Sequence, residues 1–271
     1  GRVVSVKGNL ISIVGHKLEG PPTEPVARAL RDFKSKSPSR RASAVGALAH
    51  AQPDDRRAEV IQLLEPLLND SDPFLRDPAT EAFCVWAAKD EVPTLLKLLP
   101  GDQLGGQAKH AIKALVRLKD ERAIGPIAGC VENFFTRNEA RDALIAFGPV
   151  AEDQVLKLFN HKDHNVRSVA CDIVKKIGGP RSFAPVAICL GERDTRQAAS
   201  AALVAFGPAA ENETIKLLKH KDNNARAEAS EILGKIGTEK CLPALEEAAR
   251  DPDLWASSHA KKAITTIKMR L

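Results

Sequence analysis

The sequence predicts an all-α fold, a right-handed α-α superhelix of about eight helix pairs with a short β-hairpin at its N-terminal end. Three observations predict it. First, Phe147-Gly148-Pro149, His161-Lys162-Asp163 and Ile177-Gly178 return 59 residues later as Phe206-Gly207-Pro208, His220-Lys221-Asp222 and Ile236-Gly237. A fixed offset shared by apolar, charged and glycine positions marks a repeat array. Second, Val166, Val169, Ala170, Ile173, Val174 and Ile177 form an apolar stripe at helical period. Ala140, Ala143, Leu144, Phe147 repeat it, as do Ala199, Ala202, Leu203, Phe206 and Ala229, Ile232, Leu233, Ile236. Third, each stripe ends on a glycine, Gly148, Gly178, Gly207 or Gly237. Glycine takes a left-handed backbone at little cost and stops a helix there. Pro149, Pro180 and Pro208 then bar continuation.

The first element is the exception to this helical text. Val3, Val4, Val6 and Leu10, Ile11, Ile13, Val14 flank Lys7-Gly8-Asn9, the pattern of a two-stranded hairpin. Gly15 to Pro25, with Pro21-Pro22, reads as a linker. Residues 1–22 are thus expected to form a hairpin and linker that either packs on the first helices or ends an upstream domain, and residues 23–271 the repeat array. The pairs are expected at 23–35 and 38–51, 54–69 and 73–88, 91–99 and 104–118, and 121–132 and 134–147. Four more follow at 150–160 and 164–177, 181–190 and 193–206, 209–219 and 223–236, and 239–250 and 253–270. Pro38 and Asp72-Pro73 suit helix starts, and Pro100-Gly101 breaks the third pair. Each pair leaves an apolar flank that only a neighbour can bury, so the pairs must stack. Trp255, in the last pair, is expected to cover apolar surface at the end.

Composition fits this picture. Apolar residues make up 44% and aromatics only 4%, so the core is built from Ala, Leu, Ile and Val, whose small members let helices pack closely. Residues 1–50 hold nine Lys/Arg against three Asp/Glu, a surplus larger than the net +5 of the whole chain. The remainder is slightly acidic, which argues against a chain-long basic stripe for nucleic acid. The five cysteines, Cys84, Cys130, Cys171, Cys189 and Cys241, form no C-x-x-C pair and sit among apolar residues. They read as small core residues in a reducing compartment. No apolar run reaches the roughly 20 residues of a membrane span, and a cytoplasmic location is the default expectation.

Asp72/Arg76, Asp163/Arg167 and Asp222/Arg226, each followed by the Ala-rich stripe and a glycine, resemble HEAT repeats. The closer resemblance is to the short bacterial-type HEAT repeats found in phycobilisome lyase-like proteins. It covers residues 23–271 and implies an armadillo-like helical solenoid. It also implies that the Asp opens the second helix while the Arg reaches toward the neighbouring unit. Units three and eight depart from the pattern, with Ala108 and Ser257 in the Arg position. On local grounds the Asp is an N-cap worth about 1 kcal/mol, and an Asp-to-Arg pair four residues on adds about 0.3 kcal/mol.

No nucleophile stands with a base at a recognisable spacing, and no phosphate-loop pattern appears around Gly101, Gly105 and Gly106. His161, Asp163 and His164 have no repeated second histidine, because the aligned stretch reads His220-Lys221-Asp222-Asn223. A structural metal usually wants four ligands, and no metal or cofactor is expected. Hydroxylase relatives with a di-iron centre carry His-Glu pairs, of which this chain has none. The expected function is a non-catalytic scaffold that binds another protein along the concave face formed by the second helices. Arg137, Arg141, Arg167, Lys175, Arg196 and Arg226 are the candidate partner contacts. The alternatives are an accessory subunit of a phycobilisome lyase-like enzyme, as the resemblance implies, or nucleic-acid binding through Arg28, Arg31, Lys34, Lys36, Arg40 and Arg41. The second is disfavoured by the scarcity of stacking aromatics.

Overall fold

The computed structural model describes residues 2–7, 10–14, 24–100 and 105–271, the first two stretches by backbone only. The expected hairpin turn at Gly8-Asn9, the linker up to residue 23 and the break at Gly101 lie outside the described residues. The chain divides into two units, Gly1–Ala87 and Ala88–Leu271.

In the first unit, strands β1 (Arg2–Lys7) and β2 (Leu10–Val14) pair antiparallel, with Arg2 opposite Val14 and Lys7 opposite Leu10. Four helices follow: α1 (Pro25–Phe33), α2 (Pro38–Ala49), α3 (Arg57–Leu64) and α4 (Pro73–Trp86). Proline opens three of them, where its missing N–H has no partner to lose. Asp72 caps α4 by accepting the backbone N–H of Phe74. Leu48, Leu64, Phe83 and Trp86 are fully buried between these helices. The indole Nε1 of Trp86 donates to the carbonyl of Leu48 at 2.8 Å, tying α4 to α2.

Among the described residues the second unit holds six helix pairs. Its first helices are α5 (Val92–Leu98), α7 (Ile124–Gly129), α9 (Glu152–Leu158), α11 (Phe183–Leu190), α13 (Glu211–Lys216) and α15 (Leu242–Ala248). Its second helices are α6 (Gly106–Leu118), α8 (Arg137–Phe147), α10 (His164–Ile177), α12 (Arg196–Phe206), α14 (Asn223–Ile236) and α16 (Leu254–Arg270). Second helix packs on second helix from α6 to α16, and in the other layer α7 packs on α9 and α11 on α13. Alanines at the stripe positions bring the backbones together. At Gly234 an added Cβ would stand 3.3 Å from the Cα of Ala263 on α16.

Three expectations are corrected here. In the second unit the first helices are shorter than the sequence suggests, because each opens with a 3₁₀ turn such as Gly148–Ala151 or Gly207–Ala210 before the α-helix proper. Pro149, Pro180 and Pro208 remove the N–H groups that would extend the helix backward. The four stop glycines also divide into two kinds. Gly148 and Gly207 have positive φ, +77° and +66°, with ψ near extended, a conformation essentially reserved for glycine. Gly178 and Gly237 have negative φ, and there a Cβ would stand only 2.7 Å from the carbonyl oxygen of Val174 or 2.5 Å from that of Leu233. Their need is space, not backbone freedom. Trp255 is also corrected: it is 61% exposed and lies against His259, with ring centroids 4.4 Å apart, rather than over the core.

All five cysteines are buried, as expected of small core residues. Burial pushes the Cys130 thiol up, and burial with Glu211 beside it pushes Cys241 up to about 12. Cys171, hydrogen-bonded to Cys189 and buried, is pushed up too, while Cys189, which that bond lowers, is shielded by being only 2% exposed. The thiolate is the reactive form, so the native protein is expected to resist Ellman's reagent at pH 8 and to release five equivalents on unfolding. Rapid stoichiometric reaction of a native thiol would contradict this packing.

Candidate functional site

The second unit carries two rows of polar contacts that link successive helix pairs. The first runs along the turns between first and second helices. Arg167 donates to the carbonyls of His161 (2.6 Å) and Lys162 (3.0 Å) in its own turn, and to Glu192 (2.6 Å) in the turn of the next pair. Arg226 does the same, with His220 (2.8 Å), Lys221 (3.2 Å) and both oxygens of Asp251 (2.6 and 2.9 Å). Arg196 holds Leu190 and Gly191 and reaches Asp222 at 3.1 Å. Arg137 holds Val131 and Glu132 and reaches Asp163 at 3.5 Å. The guanidinium fork, with five donors in one plane, suits a group that must satisfy two turns at once. In the last pair Ser257 stands in the Arg position, and its shorter hydroxyl donates to the carbonyl of Ala249.

The second row lies at the starts of the first helices. Glu152 accepts the N–H of Gly179 (2.8 Å) and the hydroxyl of Ser182 (2.9 Å). Glu211, buried, accepts the N–H of Thr238 (2.7 Å) and its hydroxyl (3.0 Å). These glutamates sit 59 residues apart, each four after its Gly-Pro glycine. That repeat was a usable signal that the sequence reading missed.

Between these rows the layer of second helices carries an open groove of about 750 Å³ along α12. Its floor is short: Ser200, Ala201, Val204 and Ala205. Lys175 on α10 and Lys235 on α14 flank one end, and Arg193 stands at the other. Glu228 on α14 also lines the groove and accepts the hydroxyl of Ser200. Smaller apolar grooves lie in the other layer, including one of about 310 Å³ walled by Leu96, Leu99, Pro126 and Cys130.

Residues 190–265 match the family of HEAT repeats. Over those residues the chain is similar to HEAT repeats. No curated protein matches the sequence. Solved structures similar to it include the complex of CpcE and CpcF of phycocyanin lyase from Nostoc sp. PCC7120, at 17% identity, with 94% of this chain and 99% of that one covered and a TM-score of 0.43. An engineered protein is similar at 17% identity, with 89% and 78% covered and a TM-score of 0.42. Kap121p is similar at 11% identity, with 90% of this chain but 37% of that one covered and a TM-score of 0.44.

Within the helical array the six candidate contact residues separate. Arg137, Arg167, Arg196 and Arg226 spend their guanidinium groups inside the chain, as the links just described. Arg141 pairs with Asp142 at 2.8 Å and with Asn138. Lys175 alone of the six is without a hydrogen bond or ion pair among the described residues and faces the groove. The Asp-x-x-x-Arg spacing is corrected accordingly. Asp163 and Asp222 turn their carboxylates to the N–H groups of Asn165 and Ala225 and to the Arg of the preceding pair, not to the Arg four residues on. His161 likewise belongs to its turn, with Nδ1 accepting the N–H of Asp163 at 3.0 Å. In the first unit, Arg31 pairs with Asp32, Lys34 with Glu59, and Arg41 with the carbonyls of Ser35 and Lys36. Among the described residues no helix is long and apolar enough to cross a membrane.

The capping carboxylates make stability depend on pH. Backbone N–H bonds hold Asp163, Asp222 and Asp253 below the usual carboxylate range, and the Arg226 side chain does so for Asp251. Folded values below unfolded ones give a contribution that is complete above the unfolded value, about 4, and is lost as pH falls through the folded values. Thermal melting is therefore expected to hold steady above about pH 5 and to fall progressively below about pH 4. A melting temperature that rises on acidification would contradict the caps.

Proposed function

We propose that the chain is a non-catalytic HEAT-repeat scaffold that binds another protein across the layer of second helices. The groove along α12 carries this reading. It is open and long, it lies on a regular surface, and several of its side chains are not spent on holding the array together. Its floor of small residues leaves room for a partner's side chains, and its polar groups stand around the edge, as in protein interfaces with an apolar centre and a polar rim.

The test places a photo-activatable cross-linking residue at position 201, on the groove floor, and as a control at Lys157, exposed on α9 in the other layer. Irradiation in native extract is expected to give a discrete protein adduct from position 201 and none from 157. Equal adducts at both positions, or none at either, would overturn the scaffold reading.

A further inference from the structure

We propose that the groove along α12 receives an extended acidic peptide segment, with carboxylates held at its two ends and small apolar side chains seated on its floor. This rests on the scaffold reading and specifies its partner. Charge is the first argument. Lys175, Arg193, Arg196 and Lys235 line the groove against the single carboxylate of Glu228. Arg196 is committed to Asp222 and Lys235 is shared with Glu231, but Lys175 and Arg193 have no hydrogen bond or ion pair among the described residues. Two cations facing a groove without internal partners form a potential that an anionic ligand completes.

The layout is the second argument. Lys175, Val204 and Lys235 each stand within two residues of the end of their own helices, α10, α12 and α14, so they share one level of the stack. Arg193 precedes the start of α12 and marks the opposite end. From Arg196, at the start of α12, to Val204 the helix axis advances about 12 Å at 1.5 Å per residue. An extended chain covers that in about four residues, and positions i and i+4 point to one face. Two acidic side chains four positions apart therefore reach both cationic ends, with the residues between them over Ala201, Val204 and Ala205.

Peptide is favoured over nucleic acid by the same lining. No aromatic ring lines the groove to stack a base, and Glu228 repels a phosphate backbone while offering an acceptor to a peptide N–H.

The experiment selects from a soluble random octapeptide library on the immobilised full chain and sequences the retained peptides. The expected result is enrichment of Asp and Glu, with pairs four positions apart over-represented. A fluorescent peptide with two glutamates four apart should then bind in an anisotropy titration, and its glutamine counterpart should bind about tenfold more weakly. Lys175→Glu with Arg193→Glu should weaken the glutamate peptide by at least about tenfold, whereas Lys157→Glu should leave it unchanged. Neither groove residue holds the fold, and an unaltered melting curve checks this. Enrichment of basic or uncharged peptides, no enrichment, tighter binding of a single-stranded oligonucleotide, or indifference to the double charge reversal would each overturn the proposal. Any of these alongside a persisting adduct at position 201 would leave the scaffold reading intact. Loss of that adduct would remove the reading itself.

Discussion

Trp86→Ala is expected to cost the first unit about 3–5 kcal/mol, enough to leave it largely unfolded at ambient temperature if its stability is typical of a small domain. Trp86 is the largest fully buried side chain in the chain. Truncation removes its ring from between α2 and α4 and opens a cavity that packed helices fill poorly. It also orphans the Leu48 carbonyl, which accepts the indole N–H at 2.8 Å. Trp86→Phe separates the two effects, because it keeps most of the volume and loses the hydrogen bond. It should cost about 1–2 kcal/mol. Urea unfolding followed by circular dichroism measures both. Because Trp255 is exposed, a Trp255→Phe background leaves Trp86 as the sole tryptophan fluorophore, and its emission should be blue-shifted until the first unit melts. A loss below about 1 kcal/mol for the alanine variant would mean that this ring is not the centre of the unit.

Arg226→Met is expected to destabilise the second unit by about 2–3 kcal/mol, the larger part coming from groups it leaves behind rather than from the attraction it removes. Four of its bonds disappear together: those to His220, to Lys221 and to the two oxygens of Asp251, whose side chain is only 8% exposed. Arg226→Lys should restore little, since an ammonium cannot span two turns in one plane as a guanidinium does. In a double-mutant cycle with Asp251→Asn the two losses should fall short of additive by about 1 kcal/mol or more. Additive losses would show that the two turns are not joined through this pair. Glu211→Ala provides a comparison in the other row, where the N–H and hydroxyl of Thr238 lose their acceptor.

The repeat was legible because its markers combine three chemistries at one offset. Apolar stripes at helical period located the second helices from α8 to α14 to within three residues at either end. The first helices were less legible. In the second unit they open as 3₁₀ turns, three of which carry a proline, Pro149, Pro180 or Pro208, and none of this is visible in apolar spacing. The linking arginines could be named from Asp-x-x-x-Arg, but their acceptors could not. Helical spacing brings Asp163 and Arg167 together on one helix, whereas the folded Arg167 doubles back over its own turn and crosses to Glu192, 25 residues on. The acceptors vary between Asp and Glu and sit in turns, so no periodic pattern announces them. The groove was legible only in part. Lys175 was singled out for its place on a second helix, but what makes the surface concave is the shortness of Ala201 and Ala205 on the helix beside it, a property of neighbours in space.

The arginine links do not recur identically from one helix pair to the next. Counting forward from each arginine, the acid lies 26, 25, 26 and 25 residues away, at Asp163, Glu192, Asp222 and Asp251. Cys130 and Cys189, and Thr136 and Thr195, mark every second pair in the same rhythm, each threonine hydroxyl donating to the carbonyl of its cysteine. The cell that tiles this array is therefore four helices, not two. Lengthening the protein by a whole 59-residue block, a copy of residues 180–238, would hand every arginine an acid at the right reach. Splicing in half a block would set like against like at the seam. Growth by tandem duplication would thus be permitted only in even steps.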